Sequence, residues 1–515
     1  EPSRRVRAVG DRALLVQCGS LEEVMDLHAE LVDHPLRGQV DVLAAATTVL
    51  VVTTGRPAAA RLTAELEALR PPHVARTTSR VVTLDTVYDG ADLGPVSAAL
   101  GASEDALVRA HSSSTWTAAF GGFAPGFAYL VSDDWPFDVP RRPSPRIAVP
   151  DGSVAVAARY SAAYPRSTPG GWQLLGRTDA ALWDVGRTPP ALVTAGVQVR
   201  FRPVRALAHA ALSLEPVAGP AGSVPSAGGL VVVQPGPLSL VEDLGRVGHL
   251  DLGVSPSGAA DRASAVRANR LVGNGRAAAV VETVFGGLLL EALGDQVVAV
   301  TGATGGLLVH RPGDAATAGG ADRETPFLLR SGEVLELLAP VSGLRSYVGV
   351  RGGVDVTPVL GSRSSDVLSG LGPPALQAGT ILPVGSEVTG AVGEREAVAE
   401  DDDPGRFQVV VGPRADLLPE GALTQLCSQE WRVADASNRV GLRLSGPPLR
   451  LSGPTELASE GVVRGAVQIP PSGLPVIFLS DHPVTGGYPV VAVVHDTDLD
   501  RLAQLRPGDP VHLVR

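Results

Sequence analysis

The sequence predicts a mainly β fold with an α/β part at the N-terminus. Short runs rich in β-branched residues alternate with turn residues along most of the chain, a spacing that favours barrels or sandwiches. The 515 residues include 60 Gly and 43 Pro, which interrupt regular structure throughout. Helical periodicity is confined to a few segments, so a parallel sheet with crossover helices is disfavoured.

The first 75 residues predict a small α/β unit. Residues 12–16 and 48–52 are apolar runs typical of strands, whereas 21–32 and 58–69 have helical periodicity. A weak joint follows at Arg70-Pro71-Pro72, because proline disfavours helix in the residue before it.

Three further units are predicted, at 76–205, 229–400 and 406–515. Their strands are expected at 80–84, 153–157, 197–201, 230–233, 297–300, 346–350 and 490–494, with one helix at 260–271. The segment 206–228 is interpreted as a linker, since its second half contains almost only small residues and proline. The acidic run 400–403, followed by Pro404-Gly405, predicts a solvated loop.

Charge and composition exclude several classes of function. The net charge of −11 disfavours nucleic acid and anionic membranes as partners. All 43 basic residues are Arg, so a P-loop, a Schiff-base enzyme, a Ser–Lys amidohydrolase and a biotin carrier cannot be built from this chain alone. Cys18 and Cys427 lie far apart, and the ten His show no metal-ligand spacing, so no metal site is predicted.

The chain contains no apolar stretch long enough to cross a membrane as a helix, and its first thirty residues contain no hydrophobic signal core. We therefore expect a cytoplasmic protein.

Candidate anion-binding segments join glycine, aromatic residues and arginine. The segment 121–129, GGFAPGFAY, lets backbone amides approach a planar ligand, although a tight turn with packed Phe explains it equally well. Arg141, Arg142 and Arg146, interleaved with Pro143 and Pro145, are suited to anion capture, although a solvated basic loop explains them equally well. Ser257 is expected to cap the helix at 260–271, whose N-terminal amides attract anions.

An internal echo indicates duplication. Residues 164–172, YPRSTPGGW, and 482–488, HPVTGGY, each carry a Pro, a Thr and a Gly-Gly-aromatic end. This similarity predicts related barrels that face a shared ligand.

Taken in order, the motifs resemble two known families. The first part is similar to the KipI / allophanate hydrolase subunit 1 family through residues 10–13, 121–130, 140–146, 149–154, 167–172 and 176–178. From residue 229 the chain resembles the KipA / allophanate hydrolase subunit 2 family through 243–248, 257–261, 268–274, 301–303, 437–439, 485–489 and the Arg351 and Arg363 loops. The segment 481–489, DHPVTGGYP, departs from the family pattern, because it lacks the usual Gln and is followed by Val490 instead of a cation.

The resemblance implies cyclophilin-like β-barrels in tandem and an enzymatic role. It implies a fused B/C component of ATP-dependent 5-oxoprolinase, using ATP with Mg and acting with a separate A subunit of the LamB/YcsF type. The alternative is a carboxyltransferase module of the urea carboxylase type, with biotin carried on another chain. A KipI-like histidine-kinase regulator ranks third, and homo-oligomerisation is left open.

The candidate catalytic residues are Asp481 or Glu460 as a general base if partly buried, and His111, which is either a base or a histidine at a helix end. Guanidinium groups from both halves are expected to converge on a small anionic substrate. The candidate binding residues are Gly122, Phe123, Pro125, Gly126, Phe127, Arg142, Arg146, Gly171, Trp172, Arg177, Arg246, Ser257, Arg351, Arg363, Asn438, Arg439, Gly487 and Tyr488.

Overall fold

The structure, a computed structural model, describes residues 4–72, 80–207, 228–312, 314–397, 403, 405–452 and 457–515. Strands account for 36% of the chain and helices for 16%, which confirms the mainly β fold class. Most of the predicted linker 206–228 and most of the acidic loop lie outside the described residues. In the part that is described, no helix is both long and apolar enough to cross a membrane.

An antiparallel sheet with two helices forms the N-terminal unit. Its elements are β1 Arg5–Ala8, β2 Ala13–Gln17, α1 Leu21–Asp33, β3 Gln39–Ala44, β4 Thr48–Thr53 and α2 Arg56–Ala68. The strand order is β1-β2-β4-β3. Ser20 begins α1 by accepting a hydrogen bond from the amide of Glu23, as an N-cap residue does. These elements confirm the α/β character predicted for this part of the chain.

The second unit is a barrel. Its elements are β5 Val81–Thr86, α3 Leu93–Ala99, α4 Glu104–Ser113, β6 Trp116–Gly122, β7 Ala124–Val131, β8 Arg146–Val149, β9 Ser153–Ala157, β10 Tyr160–Ala163, β11 Thr168–Gly170, β12 Gln173–Arg177 and β13 Gln198–Pro203. Seven strands follow the order β12-β9-β10-β7-β6-β13-β5, while β8 and β11 form a separate two-stranded ribbon. A bridge between Val87 and Arg177 joins the two edges and closes the barrel.

The third unit packs two sheets around one apolar core. Its elements are β14 Gly229–Pro235, β15 Leu238–Glu242, α5 Arg262–Leu271, β16 Val280–Val284, β17 Leu288–Leu293, β18 Gln296–Thr304, β19 Leu307–Arg311, β20 Asp314–Ala321, β21 Phe327–Leu329, β22 Val334–Leu337, β23 Ser342–Val350 and β24 Ile381–Pro383. The sheets run β20-β19-β22-β17-β14-β24 and β15-β16-β23-β18-β21. Asp261 caps α5 through the amide of Ser264, so the cap predicted at Ser257 is wrong.

The C-terminal unit is a closed barrel in the order β25-β32-β29-β30-β27-β26-β33. Its elements are β25 Arg406–Val411, α6 Ala422–Ser428, β26 Trp431–Val433, β27 Gly441–Ser445, β28 Glu460–Gly461, β29 Ala466–Gln468, β30 Val476–Phe478, β31 Thr485–Gly486, β32 Val490–Val494, α7 Leu499–Leu502 and β33 Pro510–Val514. Here too a two-stranded ribbon, β28 with β31, stands apart from the barrel.

The N-terminal unit and the C-terminal barrel share an apolar core. Leu15, Leu43 and Leu50 pack in one cluster with Val462 and Val493. Burial of this apolar surface makes the first and last units of the chain one body.

Candidate functional site

A cavity of about 490 Å³ lies between the barrel of the second unit, called the first barrel below, and the C-terminal barrel. Loops of the third unit complete its wall at Gly253, Ser255 and residues 366–369. The lining residues named as candidates from the sequence are Phe123, Pro125, Phe127, Gly171, Trp172, Gly487 and Tyr488. The cavity is therefore built by three units and by both halves of the chain.

The two echoing segments line this cavity together. In the first barrel, β11 pairs with β8 and leads to Trp172; in the last barrel, β31 pairs with β28 and leads to Tyr488. Each barrel thus contributes one ribbon and one Gly-Gly-aromatic end to the same space. This confirms that the internal echo marks segments facing one shared cavity.

Aromatic rings form the wall on the side of the first barrel. Phe127 lies at the centre, with ring centroids 5.2 Å from Phe123, 5.2 Å from Tyr164 and 5.6 Å from Trp172, in edge-to-face contacts. Such contacts fix the rings in place. The wall suits a small ligand with an apolar or planar body.

Two glycines of the GGFAPGF segment, Gly121 and Gly122, serve the packing of the two halves. A side chain at Gly121 would overlap the backbone carbonyl of Asp251, and one at Gly122 would lie 3.0 Å from Cγ2 of Thr485. Phe123 has a φ of 63° at the tip between β6 and β7, and its amide donates to Oγ1 of Thr485 over 3.2 Å. Gly126 packs against Trp183. Gly122 and Gly126 are thus used in packing contacts, and neither of them lines the cavity.

Two arginines line the cavity among the described residues, Arg141 and Arg166. Arg166 donates to the backbone carbonyl of Ser369 in the third unit, and burial lowers its pKa. Arg141 is exposed on the loop before β8, and no described residue accepts a hydrogen bond from it. Arg141 is thus the lining arginine whose whole guanidinium is free of hydrogen bonds to described residues, whereas Arg166 uses one nitrogen for Ser369.

The opposite wall carries polar groups on a fixed backbone. Nδ1 of His482 donates to the carbonyl of Pro483 over 2.8 Å, and the side-chain Nε2 of Gln468 donates to the carbonyl of Tyr488 over 2.9 Å. Burial lowers the pKa of His482 to about 4, so its imidazole is neutral at pH 7.

Asp481 belongs to a buried charge cluster behind this wall. Its carboxylate accepts two hydrogen bonds of 3.0 Å from Arg439, one of 2.6 Å from Ser257 and one of 3.0 Å from the amide of Val367. Arg439 also pairs with the buried Glu282. These partners use all the acceptor positions of Asp481, so the structure places Asp481, Ser257 and Arg439 in a structural network next to the cavity.

Glu460 and His111 also lie in structural positions. Both carboxylate oxygens of Glu460 accept from Nε of Arg414 over 2.9 Å. His111 is fully buried in the first barrel between the hydroxyls of Tyr88 and Ser161, each 2.8 Å away, and burial lowers its pKa to about 3. Neither residue reaches the cavity.

The other predicted arginines do not converge on the cavity, so that expectation is wrong. Each is held by a local partner: Arg142 and Arg146 by Asp92, Arg177 by Asp89, Arg246 by the carbonyl of Ser364, Arg351 by the carbonyl of Val272, and Arg363 by Asp355. Asn438 holds a turn by accepting from the amide of Val440 over 2.9 Å.

Sequence reasoning named Arg141 only as part of the anion-capturing segment 141–146, and it missed Arg166 and His482 as candidates. Arg141 stood beside Arg142 in the same proline-rich segment, and only the position of Asp92 in the fold decides which of the two is paired. The echo itself contained Arg166 and His482, so position within the repeated segments was the usable signal.

Comparison with known proteins agrees with the two-part site. Residues 252–515 match the family described as carboxyltransferase domain, subdomain A and B, and residues 4–193 match carboxyltransferase domain, subdomain C and D. Because the first match spans more than half of the chain, the chain belongs to the carboxyltransferase domain family.

The two halves have relatives on separate chains. The C subunit of 5-oxoprolinase from Escherichia coli K12 is 33% identical over 289 residues, 56% of this chain and 91% of the relative. The B subunit of 5-oxoprolinase from Escherichia coli O157:H7 is 44% identical over 142 residues, 27% of this chain and 62% of the relative. This chain therefore fuses a B-like and a C-like part, as the family resemblance implied.

Longer relatives and solved structures share the fold. Urea amidolyase of Lachancea kluyveri is 30% identical over 311 residues, 55% of this chain and 17% of that protein. The crystal structure of TTHA0988 superposes with a TM-score of 0.82 at 32% identity, covering 98% of this chain and 100% of that one.

Proposed function

We propose that the chain is the fused B and C component of a 5-oxoprolinase, which opens the cyclic amide of 5-oxoproline to glutamate with a separate A subunit of the LamB/YcsF type. The observation that carries the proposal is the cavity shared by the B-like and C-like parts. A site whose walls come from both parts explains why relatives of the two parts are components of one named enzyme.

The cavity matches the chemistry of a small cyclic amide with a carboxylate. The guanidinium of Arg141 is suited to the carboxylate, since charge-assisted hydrogen bonds to Arg are among the strongest in proteins. The rings around Phe127 pack against the body of the ligand, with Gly171 and Gly487 leaving room beside them. Binding of this kind orients the amide carbonyl before the ring is opened.

The residues present fit ATP poorly. Its triphosphate carries about four negative charges at pH 7 and calls for several cations. Among the described lining residues only Arg141 and Arg166 are cationic, which is fewer cations than a triphosphate calls for. We therefore assign the binding of ATP and Mg to a site outside this cavity, with the A subunit as its place.

A coupled assay tests the proposal. The full-length chain, the A subunit, ATP, Mg and 5-oxoproline should release ADP and glutamate, and each omission should abolish release. Arg141→Ala should raise KM for 5-oxoproline about 10- to 100-fold, because a hydrogen bond to a charged group stabilises by about 1.5–3 kcal/mol. Arg202→Ala is the matched control, since Arg202 pairs with Asp85 on the exposed edge of the first barrel.

Absence of glutamate in the complete mixture would reject the proposed function. An unchanged KM in Arg141→Ala, with turnover present, would reject only the role of that arginine.

A biotin-dependent carboxyltransferase is the second candidate, and the matched family description supports it. The aromatic and amide-lined cavity fits a planar ureido ring, which would supply a transferable carboxyl group when bound. The carrier would be another chain, because this one contains no Lys. Urea-dependent loss of carboxyl from free carboxybiotin, with no activity toward 5-oxoproline, would favour this function.

A further inference from the structure

His482 presents one free ring nitrogen in a cavity wall. The residue lines the cavity but is only 3% exposed, and its Nδ1 is used by the carbonyl of Pro483. No described residue makes a hydrogen bond to its Nε2. With Nδ1 as the donor, Nε2 carries the lone pair.

The backbone around this imidazole is fixed from behind. Asp481 is held by Arg439, Ser257 and the amide of Val367, and the carbonyl of Ser480 accepts from the hydroxyl of Ser255 over 3.2 Å. The ring of His482 also lies 6.0 Å from that of Phe478 at an interplanar angle of 32°. The acceptor nitrogen is therefore held in position, as a general base must be.

The lowered pKa of His482 leaves the lone pair of Nε2 unprotonated at pH 7. Burial is the largest cause of the lowered pKa of His482, and the positive charges of Arg464 and Arg262 act in the same direction against the opposing field of Asp481. The imidazole is neutral at pH 7 and can take up a proton.

We propose that Nε2 of His482 is the general base for the water that opens the cyclic amide, an inference that rests on the proposed function. With the A subunit, ATP first phosphorylates the carbonyl oxygen, which releases ADP and the amide proton and leaves a C=N bond in the ring. The water oxygen then bonds to the former carbonyl carbon as one O–H bond breaks; the proton passes to Nε2, the C=N electron pair moves to the ring nitrogen, and that nitrogen takes the proton from Nε2. Collapse breaks the ring C–N bond as the second proton of the water passes through Nε2 to the departing nitrogen, and a second water hydrolyses the resulting acyl phosphate to glutamate and phosphate. Atoms and charges balance, and His482 ends in its starting state.

Two variants separate chemistry from packing. His482→Asn keeps a side-chain NH for the carbonyl of Pro483 but cannot accept a proton, and His482→Ala leaves room for added imidazole. In the coupled assay both should lower kcat at least 100-fold with KM for 5-oxoproline changed less than threefold, since general-base catalysis contributes about 10²–10⁴. Added imidazole should restore at least tenfold of the rate in His482→Ala alone.

His34→Asn, at an exposed helix end, is the matched control and should keep wild-type kcat. A kcat of His482→Asn within threefold of wild type would overturn the assignment while leaving the proposed function standing. Loss of activity without imidazole rescue, together with a raised KM, would show a packing role and would also overturn it. A wild-type mixture with no turnover would overturn both proposals together.

Discussion

Substitution of Asp41 directly tests how the N-terminal unit is joined to the second half of the chain. Its Oδ2 accepts hydrogen bonds from the backbone amides of Gly248, His249 and Leu250, at 2.9, 3.1 and 3.3 Å. These amides begin the turn that continues to Gly253 and Ser255 in the cavity wall. Asp41→Ala removes the acceptor from all three at once.

The expected loss follows from those contacts. One hydrogen bond to a charged group stabilises by about 1.5–3 kcal/mol, but three donors share a single oxygen here, so the contributions do not simply add. Burial raises the pKa of Asp41, which shows that desolvation offsets part of the gain. We expect a net loss of about 2–4 kcal/mol in the local opening free energy, equivalent to roughly 30- to 1000-fold in an equilibrium constant.

Hydrogen exchange measured by mass spectrometry on the full chain gives the local opening free energy directly, because local opening limits the exchange of these amides. Peptides covering 247–253 should exchange faster by that factor in Asp41→Ala and by less in Asp41→Asn, whose amide oxygen remains an acceptor. Asp355→Ala, at an exposed pair with Arg363, is the control. Exchange within threefold of wild type in Asp41→Ala would refute the reasoning.

Three further predictions follow from the same packing. Burial lowers the pKa of His111 to about 3, against about 6.5 in the unfolded chain. Because the unfolded chain takes up a proton at this residue between pH 7 and pH 5, the free energy of unfolding should fall by about 2 kcal/mol over that range. Urea unfolding of His111→Gln at both pH values should show a smaller fall. Gly121→Ala should cost about 1–3 kcal/mol and lower Tm, whereas Gly319→Ala, in open space, should not; equal melting temperatures would contradict the contact with Asp251. Co-expressed polypeptides 1–207 and 228–515 should co-purify as a one-to-one complex through the shared apolar core, and their separation on size exclusion would contradict that core.

Long apolar strands could be predicted from sequence because burial dictates their composition. The runs 153–157 and 490–494 consist of Ser, Ala and Val, and the structure has strands with those bounds. The ribbon strands β28 and β31 have two residues each, and their existence depends on pairing with each other across the 23 residues that separate them. No local pattern carries that information.

The shared cavity could be predicted from the sequence, whereas the arginines predicted to line it were the wrong ones. Repetition of the Gly-Gly-aromatic segment indicated a shared ligand space, and both copies line the cavity. The partner of each arginine is set by tertiary contacts: Asp92, from a distant part of the chain, binds both Arg142 and Arg146, whereas no described residue accepts a hydrogen bond from Arg141. A sequence shows how many charges exist but not which of them cancel.

Because both walls of the cavity lie on one polypeptide, their stoichiometry is fixed at synthesis. If the two walls were on separate chains, the chains would dissociate on dilution and the fraction of complete sites would fall. Covalent linkage replaces the bulk concentration of each part by a local concentration in the millimolar range. Every folded copy of this chain therefore has a whole cavity, and in the coupled assay of the proposed function its specific activity with saturating A subunit should be the same at nanomolar as at micromolar concentration.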